Sequence, residues 1–439
     1  MNNQRRLLDQ LKTITQLEIS QIFGDYDSLL SKDTNKVKAI KRVAIITEAF
    51  LPKVDGVTKT AYLTLRYLQE TQREVIIFAP DISITQVNHT QIFPMPSIGM
   101  PMAPETRMGL PNPALSKQIK IFQPDLIHLF SPTSLSLGGI ITGHELGIPI
   151  VANYQTDLPG YARQYGLNWL AKPLQKWLRY LHNRCHLNLV PTQTYLDELG
   201  QSGYKRLKIW ERGINTRRFS PEKLSKTMRD RLLNGRDPNR LLCIYVGRLA
   251  PEKRLDLLHG IAKLEGIALT IIGDGASRKH LERAFADTDT FFTGYIFGEE
   301  LPQAYASADI FCFPGQVETY GQVVQEAKAS GLACIVVNQG GVSELIQHRE
   351  TGLLSEANEA DFSQSVVLLR DQPGLRKALA EAARKDVESK TWIETMASLE
   401  SYYRDAVLLN QRYQALFGRT RHKAKVMRPK KSTQSNSYS

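Results

Sequence analysis

Residues 314–331 read PGQVETYGQVVQEAKASG, and their interpretation decides the fold. ADIFCFP before them and LACIVV after them are continuous apolar runs, as a strand buried in a parallel sheet requires. The run between them is rich in helix formers, so the unit reads strand, loop, helix, strand. In such a sheet ligands bind at the carboxyl ends of the strands, so Glu318 in the loop and Glu326 on the helix can face one crevice. Gly321 lies at the helix entrance, where free backbone amides favour an anion or a sugar oxygen. The same spacing also fits two ordinary glutamates on a solvated helix, and spacing alone does not choose.

Outward from this unit the pattern repeats. Upstream in the same half, LLCIYVGR, ALTIIG (268–273) and DTFFTG read as further strands with helices between them. An earlier series begins with RVAIIT (42–47), VIIFAP (75–80) and DLIHLF (125–130), and continues through IPIVANY (148–154) and LNLVPT (187–192). Strands alternating with helices indicate two doubly wound α/β sheets. The polar stretch 222–240 reads as the outer part of the connection between them, and WERGINTRRFSP as its ordered beginning. The chain is thus divided into an extension (1–40), a first domain (41–215), a second domain (216–390), a helix packing back on the body (391–417) and a flexible basic tail (418–439). In the extension Leu7, Leu11 and Ile14 lie near helical spacing, with Ile22 and Phe23 further on, so a helix packed on the body is expected. The tail holds seven Lys/Arg and no acid.

The formal charge of +12 over 439 residues points to an anionic partner, which could be a nucleotide, a nucleic acid or an acidic membrane. Four cysteines stand singly, three of them inside apolar runs, a pattern of small buried hydrophobes that argues against zinc or a disulfide framework. No apolar run reaches the ~18 residues of a membrane-spanning helix, and the first residues lack a signal peptide's apolar core. A cytoplasmic protein, able to associate peripherally with a membrane, is expected.

Loops at strand ends carry the candidate chemistry. In GRLAPEKR (247–254), Pro251 suits the first position of a helix whose inner face would be Leu255, Leu258 and Ile261. Lys253 and Arg254 then fall in its first turn, where positive charge is unfavourable unless an anion is present. Arg248 and Lys253 can converge on a diphosphate, or can be ordinary exposed basic residues. Gly273 and Gly275 follow the next strand, where glycine permits close backbone approach to a nucleotide, and Ser277 is a plausible cap. His128, at a strand's carboxyl end, fits a core histidine as well as a site residue.

Taken in order, GRLAPEK, IIGDGASR, the long run through PGQVETYGQVVQEAKASG, and GGVSELI resemble the nucleotide-binding half of glycosyltransferase family 4. The resemblance implies an α/β GT-B fold, two facing Rossmann-like domains with the active site in the cleft between them. It implies that Arg248 and Lys253 hold the donor diphosphate and that Glu326 accepts hydrogen bonds from the ribose. Glu318, with the amides around Thr319, Tyr320 and Gly321, would hold the donor sugar. Gly56 matches the glycine loop that approaches the phosphates, although Asp55 stands where many members have a second glycine. The implied reaction is retaining, gives an α-glycoside, and needs neither metal nor cofactor beyond the nucleotide-sugar co-substrate.

In NYQTDLPGYARQYG, Gln155 occupies a position where members often have histidine. Glutamine cannot take a proton, so a general-base role passes to the phosphate or to Asp157, itself either a site residue or a turn and cap residue. The segment 166–186 mixes Trp169, Trp177 and leucines with Lys172, Lys176, Arg179 and Arg184, and fits a basic amphipathic helix on an anionic membrane or an ordinary packed helix. NYQTDLPGYARQYGLNWLAKPLQKWLRYLH and IWERGINTRRFSP look like the branch of sulfoquinovosyldiacylglycerol synthase and related glycolipid transferases. This implies a UDP- or GDP-sugar donor, with UDP preferred, and a diacylglycerol-type lipid acceptor. A soluble acceptor is the alternative, and no nucleic-acid recognition fold accompanies the basic tail.

Overall fold

The computed structural model describes residues 13–30, 37–51, 53, 55–80, 83–100 and 103–418. Two sheets organise the chain. The first has nine strands in the spatial order Thr13–Ile14, Gln86–Val87, Thr90–Met95, Glu74–Pro80, Arg42–Thr47, Leu126–Phe130, Ile150–Asn153, Leu187–Val190 and Leu207–Ile209. Every pairing in it is parallel except that of Gln86–Val87 with Thr90–Met95. The second has six parallel strands in the order Phe291–Gly294, Ile267–Ile272, Leu241–Val246, Ile310–Phe313, Ala333–Val337 and Leu353–Ser355.

Both sheets reverse their strand order beside their first long strand, Arg42–Thr47 in one and Leu241–Val246 in the other. At such a switch point the loops leaving two neighbouring strands turn to opposite sides and open a crevice. In the second sheet those loops are 247–254 and 314–321, so the topology itself brings the basic loop to the glutamate loop. The central strands are continuous apolar runs with helices on both faces, as their near-complete burial demands.

The chain crosses between the sheets at Trp210–Ile214 and returns at 387–392. Ile214 N donates to Lys390 O at 2.8 Å, and a Cβ on Gly213 would lie 2.3 Å from Trp392 N. The crossings are therefore packed backbone on backbone. Helix Trp392–Tyr413 then lies on the first sheet, burying Trp392, Met396, Leu399 and Tyr403 in its core. Glu400 on that helix pairs with buried Arg73 and accepts from Tyr67 at 2.9 Å.

Three expectations change. The polar stretch 222–240 is not an outer connection, because helix Lys226–Leu233 seats Met228, Leu232 and Leu233 in the second core. Ile14 pairs in a strand rather than continuing a helix, and the helix of the extension is Gln16–Phe23, capped by Thr15 and Glu18. Leu7, Leu11 and the tail beyond Gly418 lie outside the described residues. Pro251 opens a short 3-10 turn, Pro251–Lys253, because Arg254 takes left-handed geometry (φ 48°) and breaks the helix. Among the described residues no helix is long and apolar enough to cross a membrane.

Candidate active site

Three cation–carboxylate pairs occupy the cleft. Lys253 Nζ lies 2.5 Å from Glu318 Oε2, Arg248 pairs with Glu252, and Lys59 Nζ lies 2.7 Å from Glu326 Oε1. Burial works against the charge on Lys253, and Glu318 more than offsets it, so the ammonium is held above its ordinary range. Burial likewise raises Glu318, but Lys253 outweighs it and holds the carboxyl below the usual carboxylate range. Both groups are therefore ionised in the neutral range. Gly315 leaves room for this pair, since a Cβ there would touch the Phe313 ring at 3.1 Å and the Lys253 stem at 3.4 Å.

Loops 247–254 and 314–321 are tied to the first domain and the crossing at several points. Thr319 Oγ1 donates to the Gln155 carbonyl at 2.8 Å, and Tyr165 OH donates to Glu252 at 3.2 Å. Tyr320 OH donates to the Arg212 carbonyl at 2.8 Å, so its ring serves the crossing between domains, while its amide supports the Glu318 carboxylate. Gly321 has φ 92°, and a Cβ would lie 2.6 Å from Val342, so both backbone and packing require glycine at the entrance of helix Gln322–Ala329.

Gly273 and Gly275 also have a packing reason to be glycine, beside the close approach to a nucleotide expected from the sequence. A Cβ at 273 would lie 1.8 Å from the Gly247 carbonyl, and one at 275 would lie 2.3 Å from the Leu249 carbonyl. They let the two strand-end loops pack backbone on backbone, which fixes Arg248. A Cβ on Gly56, by contrast, would meet no atom of the described residues outside its own helix turn within 4 Å. Asp55 beside it accepts from Thr58 N at 2.8 Å as the cap of helix Gly56–Glu70 and pairs with Lys53 at 3.1 Å, which accounts for a carboxylate in the glycine loop. Ser277 stands at a cap position without a side-chain cap hydrogen bond.

Asp157 caps helix Leu158–Gln164, accepting from Gly160 N at 2.9 Å and from Tyr154 OH at 3.3 Å. Its cap role is thus visible in the geometry. Gln155 is 9% exposed, and neither its side-chain oxygen nor its nitrogen finds a partner among the described residues. His128 is a core histidine: Nδ1 meets Tyr403 OH at 2.9 Å, Nε2 meets Asn153 at 3.0 Å, and burial lowers its pKa to about 4.

Sequence reasoning missed Lys59, Glu252 and Tyr161. Tyr161 is half-buried near Glu318 and Glu252, and desolvation pushes its hydroxyl pKa up. Lys59 carried a usable signal, a cation in the first turn of a helix, the same anomaly that singled out Lys253. Helix Asn168–His182 buries Ala171, Leu178 and Leu181 while leaving Trp169 73% exposed and Tyr180 43% exposed. It is a packed helix that also presents aromatic surface.

Comparison with known proteins agrees with this architecture. Residues 54–218 match the family model described as Glycosyltransferase Family 4, and residues 229–386 match that of Glycosyl transferases group 1. A GDP-mannose-dependent alpha-mannosyltransferase of Mycobacterium tuberculosis is 36% identical over 370 residues, 82% of this chain and 96% of that protein. Sulfoquinovosyl transferase SQD2 of Arabidopsis thaliana is 32% identical over 391 residues, 86% of this chain and 76% of that protein. The crystal structure of Anabaena Alr3699/HepE in complex with UDP-glucose superposes with TM-score 0.66 at 15% identity, over 83% of this chain and 99% of that one.

Proposed function

This chain belongs to glycosyltransferase family 4, with its GT-B fold, and on that footing we propose that it transfers a hexose from a nucleoside diphosphate sugar to a lipid of the diacylglycerol type, with retention, as an α-glycoside. The observation that carries the donor half is the placing of both motif glutamates, Glu318 and Glu326, against buried lysines in one cleft. In this reading Arg248 and Lys253 take the diphosphate and bear the charge that develops as the sugar departs. Glu318, whose carboxylate is fixed by Lys253 and the Tyr320 amide, turns to the sugar hydroxyls. Glu326 receives the ribose. The Gln155 amide, unpartnered and beside the donor loop, is offered to a sugar hydroxyl, while Asp157 acts by shaping the loop. No step requires a metal or cofactor.

The lipid half rests on Trp169. It stands exposed on the helix that follows Tyr165, the residue that reaches Glu252 in the cleft, and it is flanked by exposed Lys172 and Lys176. An exposed aromatic with basic neighbours, four residues along the chain from Tyr165, suits an anionic bilayer from which a lipid acceptor can enter. Peripheral attachment to a cytoplasmic membrane face belongs to the same proposal. The sequence resemblance favours a uridine donor, while the mannosyltransferase relative favours GDP-mannose. Release of nucleoside diphosphate from GDP-mannose and from UDP-hexoses, with and without vesicles containing diacylglycerol, tests the proposal. Release that depends on such vesicles supports it, and full release with a soluble sugar alone would replace the lipid acceptor with a soluble one.

A further inference from the structure

Lys59 belongs to the first domain, yet its ammonium is spent on the second. It lies in the first turn of helix Gly56–Glu70 and is 9% exposed. Its Nζ reaches Glu326 Oε1 at 2.7 Å and stands 5.9 Å from the centre of the Phe219 ring. Tyr305 OH donates to the other oxygen, Oε2, at 3.2 Å. A buried ammonium at a helix N-terminus is opposed both by desolvation and by the helix dipole, so the carboxylate is what holds it there. Burial lowers the lysine's proton affinity and Glu326 more than restores it.

A carboxylate offers about four lone-pair sites, two on each oxygen. Lys59 takes one on Oε1 and Tyr305 takes one on Oε2, which leaves one acceptor site on each oxygen. Two adjacent acceptors on a fixed plane match two vicinal hydroxyls. We propose that Lys59 is a positioning residue for the donor, one that clamps the Glu326 carboxylate across the cleft so that its two remaining lone pairs meet the vicinal hydroxyls of the ribose. Because Lys59 comes from the facing domain, this ribose contact also ties donor binding to apposition of the two domains. The proposal rests on the donor site described above.

The test is calorimetric binding of GDP and UDP, each against its 2′-deoxy analogue, to the full chain and to Lys59→Met, Glu326→Gln and the double variant. The wild-type chain should prefer the ribonucleotide by about tenfold or more, the worth of a hydrogen bond to a charged group. Lys59→Met should bind the ribonucleotide about tenfold more weakly and lose the preference. The double variant should be no weaker than Glu326→Gln. Lys59→Gln carries the same expectation and serves if the methionine variant does not fold. If Glu326→Gln loses the preference while both Lys59 variants keep it, the lysine does not position the carboxylate. Tighter binding by the Lys59 variants would show that the lysine competes with the ribose, and would overturn the proposal equally. Retention of the preference by Glu326→Gln, or no binding of either diphosphate by the wild-type chain, would overturn the donor-site reading itself.

Discussion

Lys253 and Glu318 face each other at the switch point of the second sheet, Nζ 2.5 Å from Oε2, with the lysine 8% exposed. Truncating one partner of a buried pair leaves the other charge without compensation, at a cost of about 3–5 kcal/mol. Lys253→Met is therefore expected to destabilise the chain by a few kcal/mol, softened where Glu318 takes up a proton. In the proposed reaction Lys253 faces the leaving group, and its loss is expected to lower kcat about 100-fold or more. Urea unfolding and the initial rate of nucleoside diphosphate release measure the two effects separately.

The glycines separate packing from ligand approach. Gly273→Ala places a methyl group 1.8 Å from the Gly247 carbonyl at φ 143° and is expected to cost about 2–4 kcal/mol of stability, with Arg248 displaced. Gly56→Ala meets none of the described residues beyond its own helix turn, so stability should hold or rise by about 0.5 kcal/mol while affinity for the donor falls. Thermal unfolding and donor titration of the two variants check this contrast.

Acid should destabilise the first domain through its buried histidines. Burial lowers the pKa of His128 and of His182 from the ordinary 6.5 to about 4. Each is neutral in the folded chain and takes a proton on unfolding, so stability present above pH 6.5 is lost as pH falls toward 4. Each histidine contributes a slope of about 1.4 kcal/mol per pH unit in that window. His182→Gln, which keeps a partner for Asn188, should reduce the slope by about that amount in urea titrations at pH 4.5, 5.5 and 6.5.

Trp169→Ala together with Lys172→Gln and Lys176→Gln should weaken binding to anionic vesicles, by about fivefold for each lysine, without altering donor affinity. Vesicle cosedimentation beside donor calorimetry checks it. Unchanged sedimentation would move the membrane contact elsewhere on the chain.

The sheets were legible in the sequence because parallel strands buried on both faces must be continuous apolar runs, as Ile310–Phe313 and Ala333–Val337 are. That pattern also located Arg248, Lys253 and Glu318 in loops at strand ends and Glu326 on the helix that follows. Helix Lys226–Leu233 escaped because only Met228, Leu232 and Leu233 mark its inner face amid charged residues. The left-handed Arg254 could not be foreseen, since nothing in PEKRLD signals an interruption. Lys59 and Glu326 lie 267 positions apart, and their meeting depends on how the two domains face each other, which no local pattern encodes.

The central claim is transfer of a hexose across this cleft to a lipid. Incubation of the full chain with GDP-mannose and UDP-glucose labelled in the sugar, in the presence of diacylglycerol vesicles, followed by partition between organic and aqueous phases, tests it most directly. The account predicts label in the organic phase from one of the two donors, as an α-glycoside, and its loss in Lys253→Met. Label found only in aqueous glycosides, or organic label undiminished in that variant, would contradict it.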